Sequence, residues 1–592
     1  MDFCSKYAYD YGFDGSDEED ADMDSIKFNL KKIRKADTNI ISFCFDKLID
    51  TNQMFAGEPI KCKKCEAILT SRKSISSDQK IWKCEYCYEN NEINISSLDQ
   101  VPDQDQVTFL IEPAPQESSS SSTQSEASDD NKYLIYCIDI SGSMNTYVTA
   151  DGSSRSSPIM TRLAAVQVAC IENLGMLKSL EPKKRVALST FSDKVKFYSD
   201  GCSSNELVLG GSSPSVFGRM GFNFNSQTSH QSQDILSNKD ELLAKANNES
   251  GDLKAVKDSH SILEKRIKAL RTDGMTALGP ALTFCIGFAS RLAGSQIILC
   301  TDGCANVGIG SLQGNDPSSE VFYEELAKFA KSKGVVVNVI TIEGTDCKLA
   351  LLGKVADLTN GSINIVNPLN LNEEFKSILE NRSIATEVNT KLIVNGKYLY
   401  IRDNNYEAAE AQAYESGDAE AKKELEKTRK SVLDKNIGNV NMGSEITYEF
   451  GIRRLNEEEK KDSNGLNKLP FQLQVSYTMP NGAKALKVFV KEQEFTRDRE
   501  QAEKDILSKE LFFANFAQKA SSHVTKSNVK AARYKQHQLQ QFNSRTNYEM
   551  PEMNQQMNVV FDMNPEAKSS AMTDLQSRDF NRAKKANRNF FK

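Results

Sequence analysis

Two closely spaced cysteine pairs constrain the fold of this chain more than any other feature of its sequence. Cys62 and Cys65 form the first pair, and Cys84 and Cys87 form the second after eighteen intervening residues. Four thiolates at this spacing can close a tetrahedral zinc site, because each pair belongs to one tight turn. Since the protein then fills every coordination position, the sequence predicts a structural zinc ribbon over residues 61–95 and not a catalytic metal.

A second pattern follows Tyr133–Ile138, an apolar segment typical of a strand that is buried on both faces. The segment ends in Asp139, Ser141 and Ser143, which place one carboxylate and two hydroxyls at every second position. Oxygen ligands at the carboxyl end of a strand suit Mg²⁺ or Mn²⁺. Taken alone, the motif also fits an ordinary turn that ends in a helix-capping serine.

Apolar strand-like segments alternate with helical patterns between residues 131 and 380. This alternation predicts an α/β domain with a doubly wound, mostly parallel, Rossmann-like sheet. Two further oxygen ligands stand at loop positions of that domain, Thr276 before a helical segment and Asp302 after a strand. Together with the first motif, these five positions resemble the metal-ion-dependent adhesion site of von Willebrand factor type A (vWA) domains. The resemblance implies that the five residues hold magnesium or manganese, and that an acidic residue of a protein partner completes the coordination.

Composition and periodicity assign the other segments. Period-two alternation beyond residue 380 predicts an antiparallel β-sandwich, and an apolar stripe at helical spacing predicts a C-terminal helical segment. Acidic and serine-rich stretches predict disordered tails and linkers. In chain order, the predicted organisation is an acidic disordered tail (1–35), a strand segment (36–60), the zinc ribbon (61–95), a linker (96–130), the vWA domain (131–380) with an insertion at 203–258, the β-sandwich (381–500) with a helical insertion at 407–435, the helical segment (501–545) and a flexible tail (546–592).

The residues around the cysteines add a more specific signal. Trp82 stands two positions before the third cysteine and Asn90-Asn91 follows the fourth, which resembles the zinc finger of COPII inner-coat subunits. The order of ribbon, vWA domain, sandwich and helical segment resembles that family as well. The resemblance implies that the strand segment 36–60 joins the sandwich. Little sequence remains for the gelsolin-like domain that supplies the GTPase-activating arginine there, so GTPase activation is not expected.

The zinc-ribbon and vWA pair is also similar to proteins that fuse it to a permuted Ras-type domain. The phosphate-binding motif G-x4-G-K-[ST] does not occur in this chain, so the chain itself is not expected to be a GTPase.

Composition limits the functional classes further. A net charge of −7 gives no case for nucleic-acid binding. No apolar run approaches the roughly 18–20 residues of a membrane span, so no transmembrane segment is expected. Thirteen cysteines without an N-terminal apolar leader favour the cytoplasm. Only four histidines occur and none is near the metal motif in sequence, so we expect that the protein is not an enzyme.

Three functions remain open from the sequence. The leading hypothesis is a non-enzymatic intracellular scaffold that binds a partner's acidic residue through the vWA metal. The first alternative is a COPII-like vesicle coat or trafficking adaptor that associates peripherally with membranes. The second is a structural component of a cytoskeletal or ciliary assembly. The sequence does not decide the identity of the partner, the occupancy of the metal site or the oligomeric state.

Overall fold

The structure is a computed structural model, and not every residue of the chain is described. The described residues are 1–9, 38–50, 54–55, 57–76, 80–95, 97–113, 132–148, 160–203, 206–210, 235–313, 317–342, 347–366, 371–416, 419–453, 468–496, 498, 501, 506–525, 528–546 and 573–591. Most of the predicted acidic tail and the serine-rich part of the predicted linker lie outside them. The same holds for His230 and for most of the polar residues that follow the metal motif.

A sheet of seven strands, counted over the described residues, forms the centre of the α/β domain. Five neighbouring strands pair in parallel, and the two strands at one edge are added by antiparallel pairing, so Val195–Ser199 runs against the other six. In order across the sheet, the strands are Leu207–Leu209, Val195–Ser199, Arg185–Phe191, Tyr133–Asp139, Gln296–Thr301, Val336–Ile342 and Ile363–Val366. The predicted α/β sheet is therefore present, with two further edge strands, joined by antiparallel pairing, that the sequence did not predict.

Helices cover both faces of this sheet, so each face buries its own apolar core. The helices on one face are Lys239–Asn248, Leu278–Ala289, Pro317–Ser332 and Leu349–Thr359. Those on the other face are Arg162–Leu180, Val256–Ala269 and Leu371–Glu380.

Helix Arg162–Leu180 is the one helix in the described ranges that is long and apolar enough to cross a membrane. Its side chains Val166, Cys170 and Leu174 are buried against the sheet. A helix in the core of a domain can be equally long and apolar, and this helix is such a core helix.

Two further sheets pack face to face into the β-sandwich. Within the described residues, the smaller sheet contains Asp2–Phe3, Ile40–Cys44, Glu445–Ile452 and Leu399–Arg402. The larger contains Val432–Asn441, Ser383–Val394, Lys468–Thr478, Lys484–Phe495, Gln106–Glu112 and Met54–Phe55, with Tyr7–Ala8 beside Lys484–Phe495. Aromatic rings fill the space between the sheets, where Phe43 lies 4.7 Å from Phe489 and Phe450 lies 5.0 Å from Phe471.

The remaining elements are short strands and helices around these two domains. The predicted zinc ribbon contains strands Ile81–Lys83 and Asn90–Glu92. A small hairpin after Ser143 pairs Tyr147–Val148 with Met160–Thr161. The helices outside the α/β domain are Asn404–Ser416, Ala419–Lys427, Lys509–Thr525, Val529–Thr546 and Asp574–Lys584. The short 3-10 helices are Phe45–Leu48, Arg72–Ser74, Leu98–Gln100, Gly142–Asn145 and Arg588–Phe591.

Several predicted boundaries differ from the structure. Residues 1–9, placed by prediction in the tail 1–35, supply two short strands to the sandwich. Strand Gln106–Glu112 falls inside the predicted linker 96–130 and pairs with Lys484–Phe495. These segments have short or mixed patterns, and they become strands because a neighbouring strand edge supplies their hydrogen-bond partners.

Two helical predictions also change. The predicted helical insertion 407–435 is two helices, and a sandwich strand begins at Val432 within that range. The predicted flexible tail 546–592 contains helix Asp574–Lys584, whose Phe580 and Ala583 are buried against the helical segment. Two basic residues of this segment pair with acidic residues elsewhere in the same chain, Lys584 with Asp357 and Arg588 with Glu445.

Candidate metal centres

The two cysteine pairs form two turns of the same geometry. In the first turn, the N–H of Glu66 donates to the carbonyl of Cys62, and the N–H of Cys62 donates to Ala67. In the second turn, the N–H of Tyr88 donates to the carbonyl of Cys84, and the N–H of Cys84 donates to the carbonyl of Glu89. Glu66 and Tyr88 both have left-handed backbone, with φ of 61° and 59°. The equivalence indicates that two knuckles of one kind face each other across the ribbon.

The four thiols lie close enough to share one metal ion. All four sulfur atoms are within 4.8 Å of one another. The Sγ atoms of Cys62 and Cys87 are 3.5 Å apart, and so are those of Cys65 and Cys84. Tetrahedral zinc with bonds of about 2.3 Å separates its sulfur ligands by about 3.8 Å. The predicted residues therefore fit a closed zinc site.

Asn91 supports this cluster from behind the first knuckle. Its side chain is buried, its amide nitrogen lies 3.5 Å from the Cys62 sulfur, and its oxygen accepts the N–H of Lys63 at 2.9 Å. Burial acts to raise the pKa of the Cys62 thiol, but backbone N–H groups of the knuckle and the Asn91 amide outweigh it, and the pKa falls to about 7. A lower thiol pKa favours the thiolate, which is the form that binds metal.

The ribbon is fixed to the β-sandwich by side-chain amides. The Gln472 amide oxygen accepts the N–H of Ile68 at 2.7 Å, and its nitrogen donates to the Ile68 carbonyl at 2.8 Å. Directly after strand Ser383–Val394, the Asn395 amide donates to the carbonyl of Glu85 at 2.9 Å. Each knuckle therefore has its own anchor on the sandwich, which gives the ribbon a fixed position there.

The second candidate centre lies where two neighbouring parallel strands end. Strands Tyr133–Asp139 and Gln296–Thr301 are paired, so the loops that follow them meet at one edge of the sheet. Ser141 Oγ and Ser143 Oγ are 3.0 Å apart, and Ser143 Oγ donates to Asp302 Oδ1 at 2.6 Å. The structure thus brings three of the predicted ligands into direct contact.

Asp139 lies at the base of the same loop and is fully buried. Its Oδ1 accepts the N–H of Ser141 at 2.8 Å, and its Oδ2 accepts the hydroxyl of Thr301 at 2.7 Å. Burial raises the pKa of Asp139 to about 6, because these two hydrogen bonds only partly compensate for the lost hydration.

The Thr276 loop lies against the first loop through its backbone. The N–H of Gly142 donates to the carbonyl of Gly274 at 3.1 Å. Gly274 has φ of +68°, and a Cβ there would stand 2.8 Å from the Asp193 carboxylate, so this turn requires glycine. In the part of the chain that the structure describes, no hydrogen bond joins the Thr276 hydroxyl to the other four predicted residues.

Two further residues take part that the sequence argument did not identify. Arg162 Nη1 donates to Asp302 Oδ2 at 2.7 Å, and the Arg162 side chain is only 11% exposed. Asn306 Oδ1 accepts the N–H of Thr276 at 2.7 Å and so fixes that loop. Nothing in the sequence pattern indicated a role for Arg162. It is the first residue of its helix, and the tertiary fold alone brings its side chain to the Asp302 loop.

Comparison with known proteins gives one curated relative and a structural likeness. No family model matches the chain. The chain is 27% identical over 485 residues to "Circularly permutated Ras protein 1" of Dictyostelium discoideum, and the match covers 78% of this chain and 51% of that protein. The chain therefore spans about half the length of the curated relative it matches.

Among solved structures, the human COPII-coat protein Sec24c matches 90% of this chain and 70% of its own, with a TM-score of 0.53 and 14% identity. At this identity the match shows the fold alone. A von Willebrand factor type A protein from Catenulispora acidiphila matches 77% of this chain and 90% of its own, with a TM-score of 0.39 and 12% identity.

Proposed function

We propose that the protein is a non-enzymatic interaction scaffold that binds a carboxylate of a protein partner through a divalent cation. The cation is held in the α/β domain, which we assign to the vWA kind, while the zinc ribbon is structural. One observation carries the proposal, namely the contact of Ser141, Ser143 and Asp302 at the ends of two parallel strands. Hard oxygen donors from separate loops suit Mg²⁺ or Mn²⁺.

The spacing of these oxygens supports that assignment. In an octahedral site with bonds of about 2.1 Å, neighbouring ligand oxygens stand about 3 Å apart. The two serine hydroxyls are 3.0 Å apart, and the Ser143–Asp302 contact is 2.6 Å. Asp139 and Thr276 are proposed as further ligands, directly or through water. Magnesium or manganese at these oxygens supplies a Lewis-acidic position that accepts the partner's carboxylate.

The test compares Mn²⁺ binding and partner capture between two single variants of the full chain. Asp139→Asn removes a proposed ligand charge, and Asp273→Asn removes an exposed carboxylate of the neighbouring loop as the control. We expect Asp139→Asn to weaken Mn²⁺ binding about tenfold or more and to lose Mg²⁺-dependent partners, because the cation loses a buried anion. Equal partner capture by Asp139→Asn and wild type, with and without Mg²⁺, contradicts the proposal. EDTA alone is insufficient as a test, since it also competes for zinc.

Acetate tests whether the bound cation keeps a position for a carboxylate. We expect Mn²⁺ bound to the wild-type chain to broaden the acetate methyl NMR signal. In Asp139→Asn we expect the broadening that comes from protein-bound Mn²⁺ to be lost. An acetate signal that shows only the broadening of free Mn²⁺ argues against a carboxylate position.

A COPII-like coat or trafficking adaptor is the second candidate function. The overall likeness to Sec24c over 90% of this chain favours it. The test is co-flotation of the full chain with liposomes that carry a GTP-locked small GTPase. Recruitment that depends on the GTPase supports the adaptor, and recruitment that is equal without it counts against the adaptor.

The other expectations stay proposals. We propose that the protein carries out no catalysis and lies in the cytoplasm, with peripheral association at membranes. We also propose that it does not bind nucleic acid and has no transmembrane segment. Among the described histidines, His523 pairs with Glu407 in the helical region at 2.6 Å, away from both metal motifs in sequence. The cytoskeletal alternative has no support of its own in the described residues.

A further inference from the structure

The contact of Arg162 with Asp302 has consequences for cation binding. Asp302 is 1% exposed, and both of its oxygens are engaged, one by the Ser143 hydroxyl and the other by the Arg162 guanidinium at 2.7 Å. A guanidinium stays charged at any physiological pH. The loop cluster therefore already contains one permanent positive charge beside a carboxylate that is a proposed metal ligand.

The backbone holds Arg162 in this place from two sides. Its own N–H donates to the Thr146 carbonyl at 3.0 Å, and the preceding residue, Thr161, caps the helix by accepting the N–H of Ala164 at 3.1 Å. Thr161 also pairs with Tyr147 in the hairpin beside the metal motif. The side chain therefore starts from a fixed helix end and reaches Asp302 across the site.

We propose that Arg162 acts as a counter-cation built into the metal site. Its guanidinium pairs with Asp302 and competes with a divalent ion for that carboxylate. The inference rests on the proposed metal site and adds that cation binding there requires Arg162 to release Asp302. The two ionised carboxylates of Asp139 and Asp302 carry two negative charges, and Arg162 neutralises one. A divalent cation thus meets a site with half of its negative charge cancelled, so the wild-type site binds that cation weakly and exchanges it readily.

The experiment titrates Mn²⁺ into the full zinc-loaded chain and measures free Mn²⁺ by electron paramagnetic resonance. Arg162→Gln removes the competing charge. We expect this variant to bind Mn²⁺ at least about tenfold more tightly than wild type, because the buried guanidinium no longer repels the cation. Arg162→Lys keeps the charge and is expected to stay close to wild type. Lys194→Gln is the matched control, because Lys194 lies near the same loops and pairs with Asp273 at 3.9 Å, not with Asp302. We expect it to change the affinity less than about twofold, because Lys194 pairs with the exposed Asp273 carboxylate and does not neutralise Asp302.

The direction of the effect separates competition from structural damage. A variant that merely disturbs the loops loses Mn²⁺ affinity, whereas loss of a competitor raises it. Unchanged or weaker binding by Arg162→Gln overturns the proposal, as does an equal gain in Lys194→Gln or a lack of Mn²⁺ binding in both wild type and Arg162→Gln. Zinc content and thermal melting verify that each variant is folded.

The inference shares the metal site with the proposed function, but the two can fail separately. Arg162→Gln can bind Mn²⁺ more tightly while partner capture is unaffected by Mg²⁺ and by Asp139→Asn. In that case the scaffold proposal fails and the competition stands. If partner capture needs the metal but Arg162→Gln equals wild type, the competition fails and the scaffold proposal stands.

Discussion

The guanidinium of Arg588 lies 2.9 Å from the carboxylate of Asp2, which joins residues 586 positions apart in the sequence. The same guanidinium lies 2.6 Å from Glu445 and 2.7 Å from the Ser42 hydroxyl. Asp2, Ser42 and Glu445 belong to three strands of the smaller sandwich sheet. One side chain near the C-terminus therefore ties the last helical segment to that sheet.

The other end of this segment is tied to the α/β domain. The Asp574 carboxylate accepts the N–H groups of Cys347 and Leu349, both at 2.7 Å. These N–H groups stand at the start of helix Leu349–Thr359, where a carboxylate also complements the helix dipole. Residues 573–591 thus form a clasp between the α/β domain and the sandwich.

Substitution of Arg588 by Ala is expected to loosen this clasp. The side chain of Glu445 is only 2% exposed, so the change leaves its carboxylate buried without its guanidinium partner. We expect the local opening free energy of residues 573–591 to fall by about 1–3 kcal/mol. Amide hydrogen exchange of that segment is the measurement. Arg582→Ala is the matched control on the exposed side of the same segment, and equal exchange in the two variants contradicts the role given to Arg588.

Zinc affinity is expected to depend on Asn91 and not on its neighbour. The Asn91 amide lies against the Cys62 sulfur, whereas Asn90 is exposed. Loss of such a supporting group typically weakens metal binding about 10–100-fold, which we expect for Asn91→Ala. Competition with a chromophoric zinc chelator gives the affinity, and metal analysis should find about one zinc per wild-type chain. An Asn90→Ala chain that loses as much affinity as Asn91→Ala speaks against this support.

A buried charge cluster between the helices offers a stability prediction. Glu407 is 1% exposed and lies 2.9 Å from Lys535, 3.2 Å from Lys519 and 2.6 Å from His523. Glu407→Gln leaves two buried ammonium groups with less compensation, and we expect a loss of about 3–5 kcal/mol in the free energy of unfolding of this region. Hydrogen exchange of helix Lys509–Thr525 measures the loss.

An exposed ion pair on a neighbouring helix supplies the control. Glu424 pairs with Lys427 at 2.9 Å, and both side chains are about two-thirds exposed. Glu424→Gln is expected to change the same free energy by less than about 0.5 kcal/mol. A Glu407→Gln variant as stable as this control refutes the prediction.

The same cluster predicts a dependence on pH. Burial acts to raise the pKa of Glu407, but Lys519, Lys535 and His523 outweigh it and hold that pKa well below its ordinary value of 4.5. A carboxyl whose pKa is lower in the folded state contributes stability that is fully present above its unfolded pKa and is lost as the pH falls towards its folded pKa. We therefore expect this contribution to be constant above about pH 5 and to decline below about pH 4.5.

Unfolding experiments from pH 3 to pH 7 on wild type and Glu407→Gln check that dependence. The difference in stability between the two chains should shrink as the pH falls below about 4.5. A difference that stays constant over this range, or grows towards low pH, contradicts the assignment.

The four-cysteine cluster could be predicted from the sequence because its cysteines lie in two local turns. Each knuckle closes through hydrogen bonds within its own turn, such as that of Glu66 with Cys62, so spacing alone indicates its geometry. The same holds for the strand that ends at Asp139, because a continuous apolar run reports burial on both faces. Even the Thr276 and Asp302 loops were identified from their positions beside predicted helices and strands. The magnesium or manganese ligation itself stays a prediction.

Only the tertiary structure decided which side chains meet across the chain. Arg162 reaches Asp302 over 140 positions, and His523 reaches Glu407 over 116. Hydrophobic periodicity specifies which face of an element is buried, but it does not specify which other element covers that face. For the same reason, the basic C-terminal segment reads as a free tail in the sequence and is a clasp in the structure. Its partners, Glu445 in the sandwich and Asp357 in the α/β domain, are distant in sequence and lie beside the segment only in the tertiary structure.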